Sequence, residues 1–192
     1  ISALVQSNVK RMLAFSSVSH AGYLVMGVLV NDVAGISAIL FYLVVYSTMN
    51  LGAFAIISSV EKDGKEVAFK DYRGMASRNP LLSVAMALFM ISLAGFPPTA
   101  GFVAKYGLFS AAIEKGYIWL VLIAVLNTLV SFYYYFRIII NMYMRNENEG
   151  LQPSMGFLTV GLIAFFVAAV FLLGITPGYL LEITIDVATG AS

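Results

Sequence analysis

The sequence predicts an all-α polytopic membrane protein of five transmembrane helices, the third of them discontinuous. Three observations lead there. Hydrophobic residues fill 60% of the 192 positions and charged residues 11%, whereas ordinary soluble domains are near half apolar and a quarter charged. Uncharged runs, with His20 counted as neutral, occupy 12–30, 33–60, 79–104, 116–136 and 150–181, and a helix needs about 20 predominantly apolar residues to cross the hydrocarbon core. The basic residues between the runs fall almost entirely on one side. Five such runs in succession exceed the helix lengths of a water-soluble bundle.

These runs place spans at about 9–30, 34–60, 80–113 (broken near 96–100), 117–143 and 154–175 in a helical bundle over 1–181, with a loop at 61–79 and a tail at 182–192. The side before the first span receives Lys10, Arg11, Lys62, Lys65, Lys70, Arg73, Arg78 and Arg145, and the other side only Lys115. Cytoplasmic loops carry the excess of Lys and Arg, so the first side is expected to be cytoplasmic. The tail, with Glu182 and Asp186, is then periplasmic. A net charge of +1 gives no electrostatic footprint for nucleic acid. The absence of cysteine excludes disulfides, thiolate metal sites and cysteine-held clusters from this chain. No dinucleotide, Walker, zincin or nucleophile-elbow motif occurs, so neither dinucleotide binding nor hydrolysis is expected of it. It opens on Ile1 inside a folded-looking segment without a signal-peptide pattern, and is read as part of a longer polypeptide.

In the first span, Lys10 and Arg11 stand at the cytoplasmic start, as interfacial anchors or as a point of proton uptake. His20 follows ten residues on, ~15 Å deeper along the axis. Ser16 and Ser17 precede it on a shared helix face, and histidine titrates nearest to neutral pH. His20 is therefore either a packed core histidine or a proton relay. The loop "EKDGKEVAFKDYRGMASRNP" mixes both charge signs and reads as a solvated connection with a short amphipathic turn.

The third span contains "SLAGFPPTAGFVAKYG", residues 92–107. Residues 80–113 number 34 and would extend about 50 Å as one straight helix, against a hydrocarbon core of ~30 Å. Pro97 and Pro98 donate no backbone hydrogen bonds, and Pro98 drives Pro97 out of helical geometry. Gly95 and Gly101 flank them and tolerate unusual dihedrals. Two half-helices are expected, roughly Pro80–Gly95 and Ala100–Ile113, with Thr99 capping the second. Irregular backbone at membrane depth survives only inside protein or beside a water-filled cavity. Lys105 lies one turn into the second half-helix, ~12 Å of rise from the aqueous boundary at Glu114. It is either a snorkelling or fixed counter-ion, or the ionisable group of an ion or proton pathway.

The fourth span ends in "SFYYYF" followed by Arg137, whose head group is expected to reach the cytoplasmic surface. Tyr133, Tyr134 and Tyr135 cannot share a direction, so one or two of them line any hydrated path. The "NENEGLQP" stretch that follows reads as a turn-rich loop.

Two motifs, "NVKRMLAFSSVSHAGYLVMG" (8–27) and "MISLAGFPPTAGFVAKY" (90–106), resemble the antiporter-like membrane subunits of respiratory complex I. These subunits are relatives of the Mrp-type cation/proton antiporters. The serine–serine–x–serine–histidine–x–glycine–tyrosine form, the double proline and the triple tyrosine before arginine resemble most the N-type subunits, the counterparts of mitochondrial ND-two; the L and M types are the sister forms. The resemblance implies a fourteen-helix fold with two five-helix repeats of inverted topology, this chain supplying the last five helices and most of the second repeat. It implies that Lys105 matches the lysine of a terminal proton channel on the broken twelfth helix. His20 would match a polar position of the central hydrophilic axis, Lys10 a basic residue preceding it, and Tyr134 a lateral link through water. Proton translocation driven by quinone reduction is the implied activity, in a bacterial plasma (inner) membrane with the C-terminus periplasmic. NADH, FMN, iron–sulfur clusters and quinone would belong to the whole complex and no cofactor to this chain. Partners would be another antiporter-like subunit, the small subunits on the quinone side, and the bilayer. The alternatives are a subunit of an Mrp-type sodium/proton antiporter, a related membrane-bound hydrogenase-type complex, or a purely structural membrane subunit with Lys105 as a fixed counter-ion.

Overall fold

The computed structural model describes residues 2–61, 67–144 and 156–190. Lys62, Lys65, Arg145 and the 146–153 turn therefore lie outside the described residues.

Helix α1, Val9–Val30, starts on Asn8, whose side chain accepts from the Arg11 N–H at 3.0 Å. Such a cap satisfies one of the orphan amides of the first turn. Asn31 ends it in the left-handed conformation at φ 51°, which asparagine tolerates better than most residues. Asp32 at once caps α2, Val33–Val60, by accepting from the Gly35 N–H at 2.9 Å. The two long helices are thus joined by two residues, each placed where its chemistry suits the turn.

After α2 the chain folds back on its own start. Asn8 and Ala68 form an isolated antiparallel bridge, and the Phe69 N–H donates to the Ser7 carbonyl at 3.1 Å. A 3₁₀ turn at Phe69–Tyr72 and a short helix α3, Met75–Arg78, follow. Phe69, Tyr72 and Met75 are buried, so this part of the loop is packed rather than solvated. Burial pushes the Tyr72 phenol up from its ordinary range, with Glu61 and Asp71 adding to the effect.

Helices α4 (Pro80–Ala94) and α5 (Ala100–Glu114) come next, then α6 (Ile118–Met144), α7 (Phe157–Ile175) and α8 (Gly178–Thr189). Proline at the first position of α4 has no amide to leave unsatisfied. Helix α2 is the hub, packing against α1, α4, α5, α7 and α8, while α6 lies across α1, α4 and α5. Residues 182–189 belong to α8, which is tied to α2 by a 2.9 Å hydroxyl pair between Thr184 and Ser37.

The outer surface is apolar: Val18, Val25, Leu126, Phe165 and Leu172 are all exposed. Inside lie Ser16, His20, Ser92, Lys105 and Ser131. Helices apolar all round with polar groups turned inward are those of a membrane bundle. Among the described residues α1, α2, α6 and α7 are long and apolar enough to cross a membrane. Helices α4 and α5, at 15 residues each, rise only about 22 Å apiece.

Candidate functional site at the helix break

Helix α4 stops at Gly95, whose φ of 87° belongs to the left-handed region and whose N–H bonds back to Ile91 and Ser92. Glycine adopts that conformation without a Cβ penalty. The Pro97–Pro98 peptide is cis, and α5 starts two residues later. Thr99 occupies the N-cap position but does not cap: its hydroxyl donates to the Phe96 carbonyl at 2.6 Å. The cap comes from across the break. Ser92 Oγ accepts from the Gly101 N–H at 3.1 Å.

The reverse exchange is made by Lys105. Its Nζ donates to the carbonyls of Leu93, at 3.0 Å, and Ala94, at 2.8 Å. Those are orphan acceptors of the α4 C-terminus, where a cation also meets the negative end of the helix dipole. Each half-helix is therefore terminated by a side chain of the other. Lys105 is 4% exposed, its ammonium lies 5.3 Å from the centroid of the Tyr23 ring, and among the described residues no carboxylate pairs with it.

The break is closely walled. A Cβ at Gly101 would collide with the Ser92 carbonyl oxygen and lie 2.7 Å from its carbon. A Cβ at Gly174 of α7 would lie 2.7 Å from the Pro98 oxygen and 2.8 Å from the Ala100 nitrogen. A cavity of about 270 Å³ between α5 and α6 reaches Lys105, lined among others by Gly95, Phe102, Thr128 and Phe132.

Next to Lys105 stands a cluster of phenols around His20. The His20 ring nitrogens face two hydroxyls, Nδ1 with Tyr42 Oη at 2.7 Å and Nε2 with Tyr135 Oη at 2.9 Å. Tyr46 stacks on the imidazole at 4.4 Å, and Tyr23 meets it edge-on at 6.0 Å. The Tyr23 hydroxyl bonds Thr128 at 2.8 Å and accepts from Asn127 at 3.2 Å. One imidazole nitrogen donates and the other accepts, so either tautomer satisfies both phenols. Exchange of tautomer passes a proton across the ring, which is what a relay requires.

Of the residues singled out from sequence, Lys105 and His20 are brought together, with Tyr23 between them. Tyr134 joins at one remove: its ring lies 4.6 Å from that of Tyr135. Tyr135 is the tyrosine that touches His20, and Tyr133 is 64% exposed. Lys10 is not part of the cluster. It lies at the end of the bundle in an exposed pair with Glu61 at 3.0 Å. Arg137 turns back to the Gln6 and Leu4 carbonyls, at 2.9 and 3.5 Å, and over the Phe69 ring at 4.1 Å. Tyr23 and Tyr42 are the members that sequence reasoning missed, while Tyr135 is one of the three consecutive tyrosines among which the sequence leaves the choice open. Tyr23, three residues after His20, was on the same helix face and could have been found by that spacing.

At the opposite end of the bundle Lys115 pairs with Asp32 at 2.8 Å. The Lys115 ammonium, and then the Gly35 amide, hold the Asp32 carboxyl below its ordinary range, and Asp32 holds Lys115 above its own. Among the described residues no group of three metal-ligating side chains converges.

The family described as NADH:quinone oxidoreductase/Mrp antiporter, transmembrane, matches residues 1–131. The chain belongs to this family. Subunit N of the NADH-quinone oxidoreductase of Trichlorobacter lovleyi is 51% identical over 148 residues, covering 77% of this chain and 30% of the relative. A chain of respiratory complex I from Thermus thermophilus, solved with bound aureothin, superposes with a TM-score of 0.82 at 33% identity, over 94% of this chain and 41% of the other. A chain of the Mrp complex from a Dietzia species shares the fold, with a TM-score of 0.86 at 22% identity over 98% of this chain and 44% of the other. The chain spans 30–40% of the length of the curated relatives it matches. It is a helical integral membrane protein with the antiporter-like fold.

Proposed function

We propose that this chain is part of an N-type, proton-translocating membrane-arm subunit of an NADH-quinone oxidoreductase, holding part of a proton channel and no redox centre. The observation that carries the reading is Lys105: a buried ammonium, with no carboxylate partner among the described residues, bonded into a helix break beside a histidine–phenol cluster. An intramembrane ionisable group held against unwound backbone marks an ion pathway. Quinone reduction elsewhere in the complex drives the channel through changes in charge and hydration. Lys105 exchanges a proton with the outer aqueous side, and His20 and Tyr134 connect it laterally.

In this reading α4 and α5 form one discontinuous span, making five with α1, α2, α6 and α7, and these five make most of the second inverted repeat of a fourteen-helix fold. The gathering of Lys10, Lys70, Arg73 and Arg137 at one end of the bundle and Lys115 at the other supports a cytoplasmic start and a periplasmic C-terminus. The membrane is the energy-transducing one, the bacterial plasma membrane. Another antiporter-like subunit and the small subunits on the quinone side are the neighbours. NADH, FMN, the iron–sulfur clusters and quinone are bound in the rest of the complex.

The test is Lys105→Ala in the intact complex, reconstituted in vesicles with quinone reduction and proton movement measured together. Proton translocation per quinone reduced falls, and Lys105→Arg, which retains a cation at the α4 C-terminus, keeps the break folded. Full pumping by Lys105→Ala sinks the assignment. Sodium-dependent proton flux without quinone would instead place the chain with the Mrp antiporters, whose complex shares the fold.

A further inference from the structure

Lys105 and His20 share a neighbour in Tyr23, yet among the described residues no side-chain hydrogen bond joins the two. The Lys105 ammonium bonds the Leu93 and Ala94 carbonyls and otherwise meets the Tyr23 ring, 5.3 Å from its centroid. The His20 nitrogens are taken by Tyr42 and Tyr135, and the imidazole meets Tyr23 ring to ring, at 6.0 Å. The Tyr23 hydroxyl is engaged on α6 instead.

Thr128 fixes the direction of that bonding. Its hydroxyl lies 3.0 Å from the Ala124 carbonyl, and a carbonyl only accepts, so the single Thr128 hydrogen goes there. Tyr23 then donates to Thr128 Oγ1 across their 2.8 Å, and the Asn127 amide donates to Tyr23 Oη at 3.2 Å. The chain runs from Asn127 through Tyr23 and Thr128 to a backbone carbonyl, and stops. A proton wire ends on a group that changes its protonation; this one ends on backbone. It holds the phenol still.

The held side chain also has somewhere to go. Tyr23 and Asn127 line a hollow of about 320 Å³ between α1 and α6, with Ser19 and Gly22 beside them. Nothing lies within 4 Å of a Cβ at Gly22. Thr128 lines the cavity that reaches Lys105, so the bonded trio spans from one space to the other.

We propose that Tyr23 is a gating residue for the lateral proton step, latched shut by Thr128 and Asn127. This rests on the reading of Lys105 as a proton carrier. With the hydroxyl held on α6, the ring separates Lys105 from the His20 cluster. With the hydroxyl released, the phenol turns toward the α1–α6 hollow, and the hydroxyl or water joins the two. The proton that leaves the Lys105 ammonium is taken by the unprotonated nitrogen of His20, giving a neutral amine and an imidazolium.

The test uses the intact complex in vesicles. Resting proton flux down an imposed pH gradient is measured without NADH, and protons moved per quinone reduced with it. Tyr23→Phe keeps the ring and loses both latch bonds; Thr128→Val keeps the side-chain shape and loses one. An ordinary hydrogen bond is worth about a factor of 5 in such an opening, and two about 30. Resting flux rises about 5-fold in Thr128→Val and about 30-fold in Tyr23→Phe, and protons per quinone fall. Tyr133→Phe, the same change at an exposed phenol of α6, leaves both unchanged. Arginine keeps the cation but does not deprotonate, so adding Lys105→Arg to Tyr23→Phe removes the extra flux. The gate is overturned by wild-type flux in Tyr23→Phe, or by an equal rise in Tyr133→Phe. A rise that survives Lys105→Arg would mark a leak through loosened packing and overturns it too. Thr128→Val decides should Tyr23→Phe fail to assemble. A tight Tyr23→Phe beside a Lys105→Ala complex that no longer pumps refutes the gate alone; full pumping by Lys105→Ala refutes channel and gate together.

Discussion

Gly101→Ala puts one methyl group at the tightest point of the break. Its Cβ would fall inside the Ser92 carbonyl oxygen and 2.7 Å from the carbonyl carbon, with Met49 Sδ at 3.2 Å. A thioether can swing away, but the Ser92 carbonyl cannot, because it accepts from the Gly95 N–H at 2.9 Å and its residue caps α5. Relief therefore requires α5 to retreat from α4. Overpacking of this kind costs about 1–3 kcal/mol, and leaving the buried Gly101 N–H without Ser92 Oγ costs a further ~1–3 kcal/mol. A loss of about 2–6 kcal/mol is expected. The measurement is unfolding in mixed detergent–dodecyl sulfate micelles, followed by circular dichroism, with Gly161→Ala as the control because nothing lies within 4 Å of a Cβ there. If Gly101→Ala unfolds at the same dodecyl sulfate fraction as the wild type, the closeness of the two half-helices is refuted.

Tyr135→Phe and Tyr42→Phe each leave one His20 nitrogen without its phenol. Each should lower stability by about 1–3 kcal/mol, and the double variant should cost less than the sum because the phenols share one ring; strict additivity in the unfolding titration would contradict a shared site. At the opposite end, Asp32→Asn tests the pair with Lys115. The Asp32 carboxyl is held below its ordinary value, so its contribution is complete above about pH 4 and fades as pH falls through the lowered folded value. Lys115 is held above its own, so its contribution is complete below about pH 10 and fades only as pH rises through the raised value. The wild type should therefore outlast Asp32→Asn in thermal unfolding at neutral pH and lose that advantage in acid; an advantage independent of pH would show that the carboxylate charge plays no part.

How far these features are legible in the sequence depends on whether they are local. Turn chemistry is local: Asn8, Asp32, Pro80, Gly95 and the two prolines act on their own backbone, and their positions coincide with the helix ends observed. Burial of Lys105 follows from its place in an apolar run. Register between helices is not local. Three consecutive tyrosines differ by about 100° each around the axis, and only the packing of α6 on α1 turns Tyr135, rather than Tyr134, onto His20. Thr99 failed as a cap for a related reason. The chain between Gly95 and Ala100 turns its hydroxyl to Phe96, and the vacated role passes to Ser92, nine residues from the amide it serves. The folded-back loop rests on Ser7 and Asn8, contacts no local pattern announces.

The Gly174 contact carries a kinetic consequence. With the α7 backbone at Gly174 lying directly on Pro98 and Ala100, the break is tightly packed at that point. Between α5 and α6 lies the 270 Å³ cavity whose walls include Phe102 and Phe132, the latter edge-on to Phe96 at 6.5 Å. The cavity that reaches Lys105 is thus walled by phenyl rings. If Lys105 exchanges protons as proposed, how often that cavity wets sets a ceiling on the rate, whatever the driving force.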